Sequence, residues 1–251
     1  MVKKILTRDR FFILTGMASI TVWAWWYTVG RARAMTAMPQ VLIPSGEPWT
    51  FSYGFMVFIM WVIMMIAMML PSVTPMALVF ASVHRKRREQ QKPFVPTGFF
   101  LAGYLLAWAI FSLIATLLQA LFHYLSFMSP TMESSHNIFA AMILLAAGIF
   151  QFTPLKRACL FRCQNPLEFV MTKWKEGKDG ALRMGVHHGL FCIGCCWFLM
   201  SLLFVVGVMN IFWVAILALF VLLEKLIKAR EWLRYMAGGA LIIWAIYVFN
   251  P

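Results

Sequence analysis

The amino-acid sequence predicts an all-α protein: a polytopic transmembrane helical bundle of about seven spans, N-terminus inside and C-terminus outside. Apolar runs of close to 20 residues recur along the whole 251-residue chain, which is 62% hydrophobic and 12% charged, with mean hydropathy +0.79. That apolar share is well above that of an ordinary soluble domain. The Lys and Arg residues fall between the runs, and 20 of the 22 lie in segments that alternating spans put on one side. The formal charge of +13 therefore reads as a topology signal and not as a nucleic-acid footprint. A single transmembrane domain over residues 1–251 follows, with the lipid bilayer as its first partner and no nucleic acid.

The spans are expected at about 11–29, 53–72, 99–123, 136–152, 188–206, 209–223 and 232–248. The first follows Lys3, Lys4, Arg8 and Arg10 and ends in Trp23, Trp25, Trp26 and Tyr27. An aromatic belt without a small-residue cleavage site marks a retained span. A loop with Pro39, Pro44, Gly46 and Pro48 precedes the second span. The second span meets Thr74-Pro75 and the fourth meets Thr153-Pro154, so both are expected to break near the inner face. Two such breaks are compatible with parallel repeated hairpins. The tight turn at Gly207 to Asn210 predicts a close antiparallel pairing of the fifth and sixth spans.

The inner segment at about 153–186 carries structure of its own. Thr153-Pro154 can open a short helix, with proline at its first position. Asn165-Pro166-Leu167-Glu168 supplies a cap, a proline and a first-turn acid for a second one. Leu167, Val170, Met171 and Trp174 then recur at helical spacing, and Gly177 is expected to end the helix. An amphipathic helix lying on the inner membrane surface fits this pattern.

All five cysteines lie at that same inner end. His188, Cys192, Cys196 and Met200 are spaced four apart and follow one helix face, with Cys195 and His187 beside it. Cys159 and Cys163 are also four apart. Imidazole, thiolate and thioether are ligands for soft metals, and a cytoplasmic face keeps thiols reduced. Cys159, Cys163, His188, Cys192, Cys195 and Cys196 are thus the candidate metal ligands, and the two cysteine groups should approach each other. Buried cysteine as plain packing is the competing use. Met60, Met64 and Met68 step along the second span and, with Met200, are a candidate path for a soft ion; packing again competes. His123 and His136 flank an outer loop containing Met128, Met132 and Glu133, a candidate outer site, with plain polar loop residues as the competing reading. Glu224 is the acid nearest to hydrocarbon, and Lys228, one helical turn on, is its expected partner. No phosphate-binding glycine loop, Ser-His-Asp set or intramembrane carboxylate pair is present, so hydrolase and nucleotide-driven readings lack support.

Four stretches resemble an uncharacterised bacterial family of predicted metal-binding integral membrane proteins. They are Trp-Val-Ile-Met-Met-Ile-Ala-Met-Met-Leu-Pro-Ser-Val-Thr-Pro from Trp61 to Pro75; Gln151-Phe152-Thr153-Pro154-Leu155-Lys156 with Cys159 and Cys163; Gly189 with Cys192-Ile193-Gly194-Cys195-Cys196-Trp197; and Met209-Asn210 with Glu224-Lys225. The resemblance covers about residues 50–250 and implies a membrane bundle with metal-ligand-like residues at these positions. It implies no particular substrate.

The expected function is therefore that of a multi-pass protein of the bacterial cytoplasmic (inner) membrane. It would bind a transition metal, copper(I) favoured over zinc, at the cytoplasmic Cys/His cluster and handle or move it without ATP. Partner membrane subunits or a metal chaperone are the expected protein partners. A non-catalytic accessory or assembly subunit of a larger membrane complex is the alternative. A thiol oxidoreductase ranks last, because adjacent Cys195 and Cys196 form at best a strained vicinal disulfide.

Overall fold

The structure, a computed structural model, describes residues 2–37, 49–91, 95–125, 137–227 and 231–249. These residues are helical with short connections, and no strand occurs among them. In chain order the elements are α1 (Val2–Ala37), α2 (Phe51–Glu89), α3 (Thr97–Tyr124), α4 (Asn137–Phe152) and α5 (Pro154–Gln164). They continue as α6 (Pro166–Lys173), α7 (Gly177–Ser201), α8 (Leu203–Val206), α9 (Ile211–Leu226) and α10 (Glu231–Phe249). Five of them, α1, α2, α3, α10 and α7 running on through α8, contain stretches long and apolar enough to cross a membrane. A sixth is reached if the bent α4–α5 pair counts as one.

That is fewer than the seven spans expected. The sixth expected span is α9, whose 16 residues reach only about 24 Å at 1.5 Å per residue, against a hydrocarbon core of about 30 Å. The fourth, α4, has the same length and reaches a membrane-spanning length only together with α5. The remaining apolar helices are longer than expected. The 39 residues of α2 extend about 58 Å, well beyond one hydrocarbon thickness.

The expected break at Thr74-Pro75 is absent, and α2 runs through both Pro71 and Pro75. Proline at position 71 removes the N–H that would bond the Ala67 carbonyl. That carbonyl is taken instead by Trp25 Nε1 of α1 at 3.1 Å. A neighbouring helix thus satisfies the freed group and the helix continues. At Thr153-Pro154 the break is real. Helices α4 and α5 meet at 65°. The Thr153 hydroxyl donates to the Phe150 carbonyl at 2.8 Å and accepts from the Lys156 N–H at 3.3 Å, closing one helix and capping the next. Of the two expected repeat breaks only this one occurs.

Helix α2 is the centre of the fold and packs against α1, α3 and α9. Helix α3 lies along α7, α5 crosses α7, and α4 pairs with α10. The close α7–α9 hairpin expected from the Gly207 turn is not formed. Gly207 does adopt a left-handed φ of 92° and ends the α8 turn, but α9 then leans chiefly on α2.

The α3–α7 contact is set by small residues. A Cβ at Gly103 would stand 2.1 Å from the Leu182 carbonyl oxygen, and one at Gly185 would stand 2.0 Å from that of Phe100. Only glycine lets the two backbones approach this closely.

Short helix α6 has Phe169 and Val170 buried, while Leu167 and Met171 of the expected stripe are exposed. The Asn165 side chain does not cap α6; its amide donates to the Phe161 carbonyl at 3.0 Å. Nor does Gly177 close α6. It has φ 79° and is the first residue of α7.

Candidate metal centre

The stripe His188, Cys192, Cys196 and Met200 lies on the buried face of α7, and Cys195 beside it is buried too. The α3–α7 glycine contact brings Tyr104 over this face. Its hydroxyl lies 3.1 Å from Cys192 Sγ and donates to the Met69 carbonyl of α2 at 3.3 Å. The thiols of Cys195 and Cys196 each donate to the Cys192 carbonyl, at 3.0 and 2.8 Å.

Helix α5 supplies the other two thiols, because the 65° bend at Thr153-Pro154 turns it across α7. The Cys163 side chain lies close enough to that of Cys195 for the two thiols to interact. Cys159 Sγ lies against Gly194, 2.9 Å from where a Cβ would stand. The two cysteine groups therefore do meet, as the sequence expects. All five cysteines are free of disulfides.

Among the described residues, no group of three His, Cys, Asp or Glu side chains is placed to hold a metal ion. His188 is buried and enclosed by the rings of Phe169, Tyr104 and Phe100, at 5.2, 5.9 and 6.0 Å, with its Nδ1 unpaired. His187 turns away and stacks on Phe191 at 4.9 Å.

Two residues whose charge the sequence pattern assigns to loops are central here. Lys225, at the end of α9, is buried and donates to Cys192 Sγ at 2.8 Å and to Ser72 Oγ of α2 at 2.9 Å. Lys156 is fully buried and pairs with the Glu224 carboxylate at 2.7 Å, while also donating to Gln151 Oε1. Glu224 is thus paired across helices, with Lys156; Lys228 lies outside the described residues. Gln164 Nε2 donates to the Glu224 carbonyl at 2.7 Å and ties α5 to α9 a second time. Ionisable residues within apolar spans are costly enough to mark function by default, and that rule applied to Lys225 was the signal available. Tyr104 carried no such signal.

The methionine positions Met60, Met64 and Met68 are buried, as are Met65 and Met69 beside them. One turn beyond Met68 and Met69 stands Ser72, the partner of Lys225, so the stripe ends beside the thiols. Met56, the outermost of the row, is exposed. His123 is half-buried at the other end of the bundle, its ring 6.2 Å from that of Trp49. His136, Met128, Met132 and Glu133 lie outside the described residues.

A family model described as PpoB2, copper chaperone, matches residues 58–248. That interval takes in α2 from its second turn, both cysteine groups, Lys156, Glu224 and Lys225. No curated protein and no solved structure matches the chain.

Proposed function

We propose that this chain, which belongs to the PpoB2 family of copper chaperones, binds copper(I) as cargo between buried thiols and passes it on without ATP. The observation that carries the reading is the approach of half-buried Cys163 of α5 to buried Cys195 of α7. Two thiolates from different helices suit a soft monovalent ion that is satisfied by few ligands. Cys192 and Cys196 stand one step away on the same α7 face, and Cys159 and His188 flank them. The buried methionines of α2 lead toward this point as weaker, neutral donors along which an ion is exchanged. The long apolar helices support residence in the bacterial cytoplasmic membrane, and the Lys and Arg distribution supports an inward-facing N-terminus and a thiol cluster on the cytoplasmic side.

The test is elemental analysis of the full chain purified anaerobically in mild detergent. Wild-type protein should carry stoichiometric copper, and the Cys163→Ser/Cys195→Ser protein should lose it while still inserting. A Met60→Leu/Met64→Leu/Met68→Leu protein should keep its copper and exchange it more slowly. Full copper retention by the double serine protein sinks the reading. Metal-free wild-type protein inside a larger membrane complex points instead to an assembly subunit.

A further inference from the structure

Lys225 has an unusual environment for a buried ammonium. Its two hydrogen-bond acceptors are a hydroxyl, Ser72 Oγ at 2.9 Å, and a thiol sulfur, Cys192 Sγ at 2.8 Å. The neighbouring buried carboxylate, Glu224, is already matched by Lys156 at 2.7 Å. Among the described residues no carboxylate lies within ion-pair distance of Lys225. The sulfur cluster is therefore what faces its charge, with Cys195 and Cys163 close behind Cys192.

We infer that Lys225 is the specificity-determining residue of the thiol site, a fixed positive charge that matches a monovalent ion held by two thiolates and mismatches a divalent one. This rests on the copper reading above. The charges decide it. Two thiolates and one copper(I) sum to a single negative charge, which Lys225 neutralises. Two thiolates and one zinc(II) sum to zero, and Lys225 then remains buried without a counterion, which a low-dielectric interior disfavours strongly. Ligand number acts in the same direction. Zinc takes four ligands, whereas the described residues offer no group of three. The Lys156–Glu224 pair is internally neutral and leaves this sum unchanged. Tyr104, whose hydroxyl lies 3.1 Å from Cys192 Sγ, borders the same sulfur without adding charge.

The experiment titrates the detergent-purified full chain, anaerobically, with copper(I) and with zinc(II) against a chromophoric chelator. Wild type is compared with Lys225→Gln, which removes the charge, and Lys225→Arg, which keeps it. A unit charge 2.8 Å from Cys192 Sγ, the thiol beside the Cys163–Cys195 pair, should make the copper(I)-to-zinc(II) affinity ratio fall at least about tenfold in Lys225→Gln. Lys225→Arg should hold the ratio within about threefold of wild type, less than half of that effect on a logarithmic scale. Wild type that binds copper, with one ratio common to all three proteins, overturns the charge match and leaves the copper reading standing. Wild type that binds neither metal overturns both. If Lys225→Gln does not fold, wild type alone decides. Its preference for silver(I) over cadmium(II), two soft ions of different charge, should exceed that of free dithiothreitol. A preference no greater than that of dithiothreitol overturns the inference.

Discussion

At the scale of single residues, the cluster is governed by two lysines that a charge count assigns to loops. Lys156 is wholly buried and has one full countercharge, Glu224. Removing one partner of such a pair strands the other, at a cost of roughly 3–5 kcal/mol, whereas removing both leaves a neutral gap. Glu224→Leu should accordingly lower the melting temperature of the purified protein sharply, and Lys156→Met added to it should recover most of the loss. A double variant no better than the single one would show that Glu224 acts through some contact other than the pair. The Trp25 indole has a comparable role between α1 and α2. Its N–H takes the Ala67 carbonyl that Pro71 leaves free, so α1 satisfies the backbone group that this proline orphans in α2.

At the scale of elements, the site exists because three helices are held at fixed approaches to α7. Helix α5 crosses it through the 65° bend, α3 lies along it through glycine contacts, and α9 ends with Lys225 against Cys192. The α3–α7 contact is the closest of these. Gly185 lies against the backbone of Phe100 and Tyr104, Gly189 against Ala107, and Gly103 of α3 against Leu182 and Val186 of α7, a small-residue seam of the kind that joins membrane helices. A Cβ at Gly185 meets backbone, which cannot rotate out of the way. Gly185→Ala should therefore destabilise the protein by about 1–3 kcal/mol, the usual range for overpacking. Gly16→Ala, on α1 where a Cβ meets nothing within 4 Å, should be neutral or slightly stabilising. Thermal unfolding in detergent reads both, and equal melting temperatures for the two variants would remove the seam as a determinant.

At the scale of the whole molecule, the ends of the bundle sort by residue type. Arg87 at the end of α2 pairs with Glu176 just before α7, and the Arg87 guanidinium lies 4.7 Å from the centre of the Trp174 ring. At the opposite end Trp49 packs on Tyr53 and His123. The proposed orientation puts the Arg87 end inside and the Trp49 end outside. A cysteine introduced at Ser52, on the Trp49 end, should react in intact cells with a membrane-impermeant thiol reagent. A cysteine at Lys175 should react only after permeabilisation. Reaction at Lys175 in intact cells would invert the proposed orientation.

The class of the protein was legible in the residues alone. Apolar runs, their period and the placement of Lys and Arg are local properties, and they read correctly as an all-helical protein with several membrane-length helices. The buried His188–Met200 face was legible for the same reason, since four-residue spacing on one helix needs no partner to be seen. So was the bend at Thr153-Pro154, which a hydroxyl and a proline produce between themselves. The glycine seam is also present as a spacing, but which helix it faces is not. What tertiary structure alone decided are the pairings across helices: Cys163 with Cys195, Lys156 with Glu224, Lys225 with Cys192 and Ser72, and Trp25 with Ala67. These residues stand about 30 to 150 positions apart and share no period. Whether a proline breaks a helix, or whether a lysine serves a loop or a core, depends on which neighbour offers an acceptor or a countercharge, and only the packing of the helices determines that neighbour.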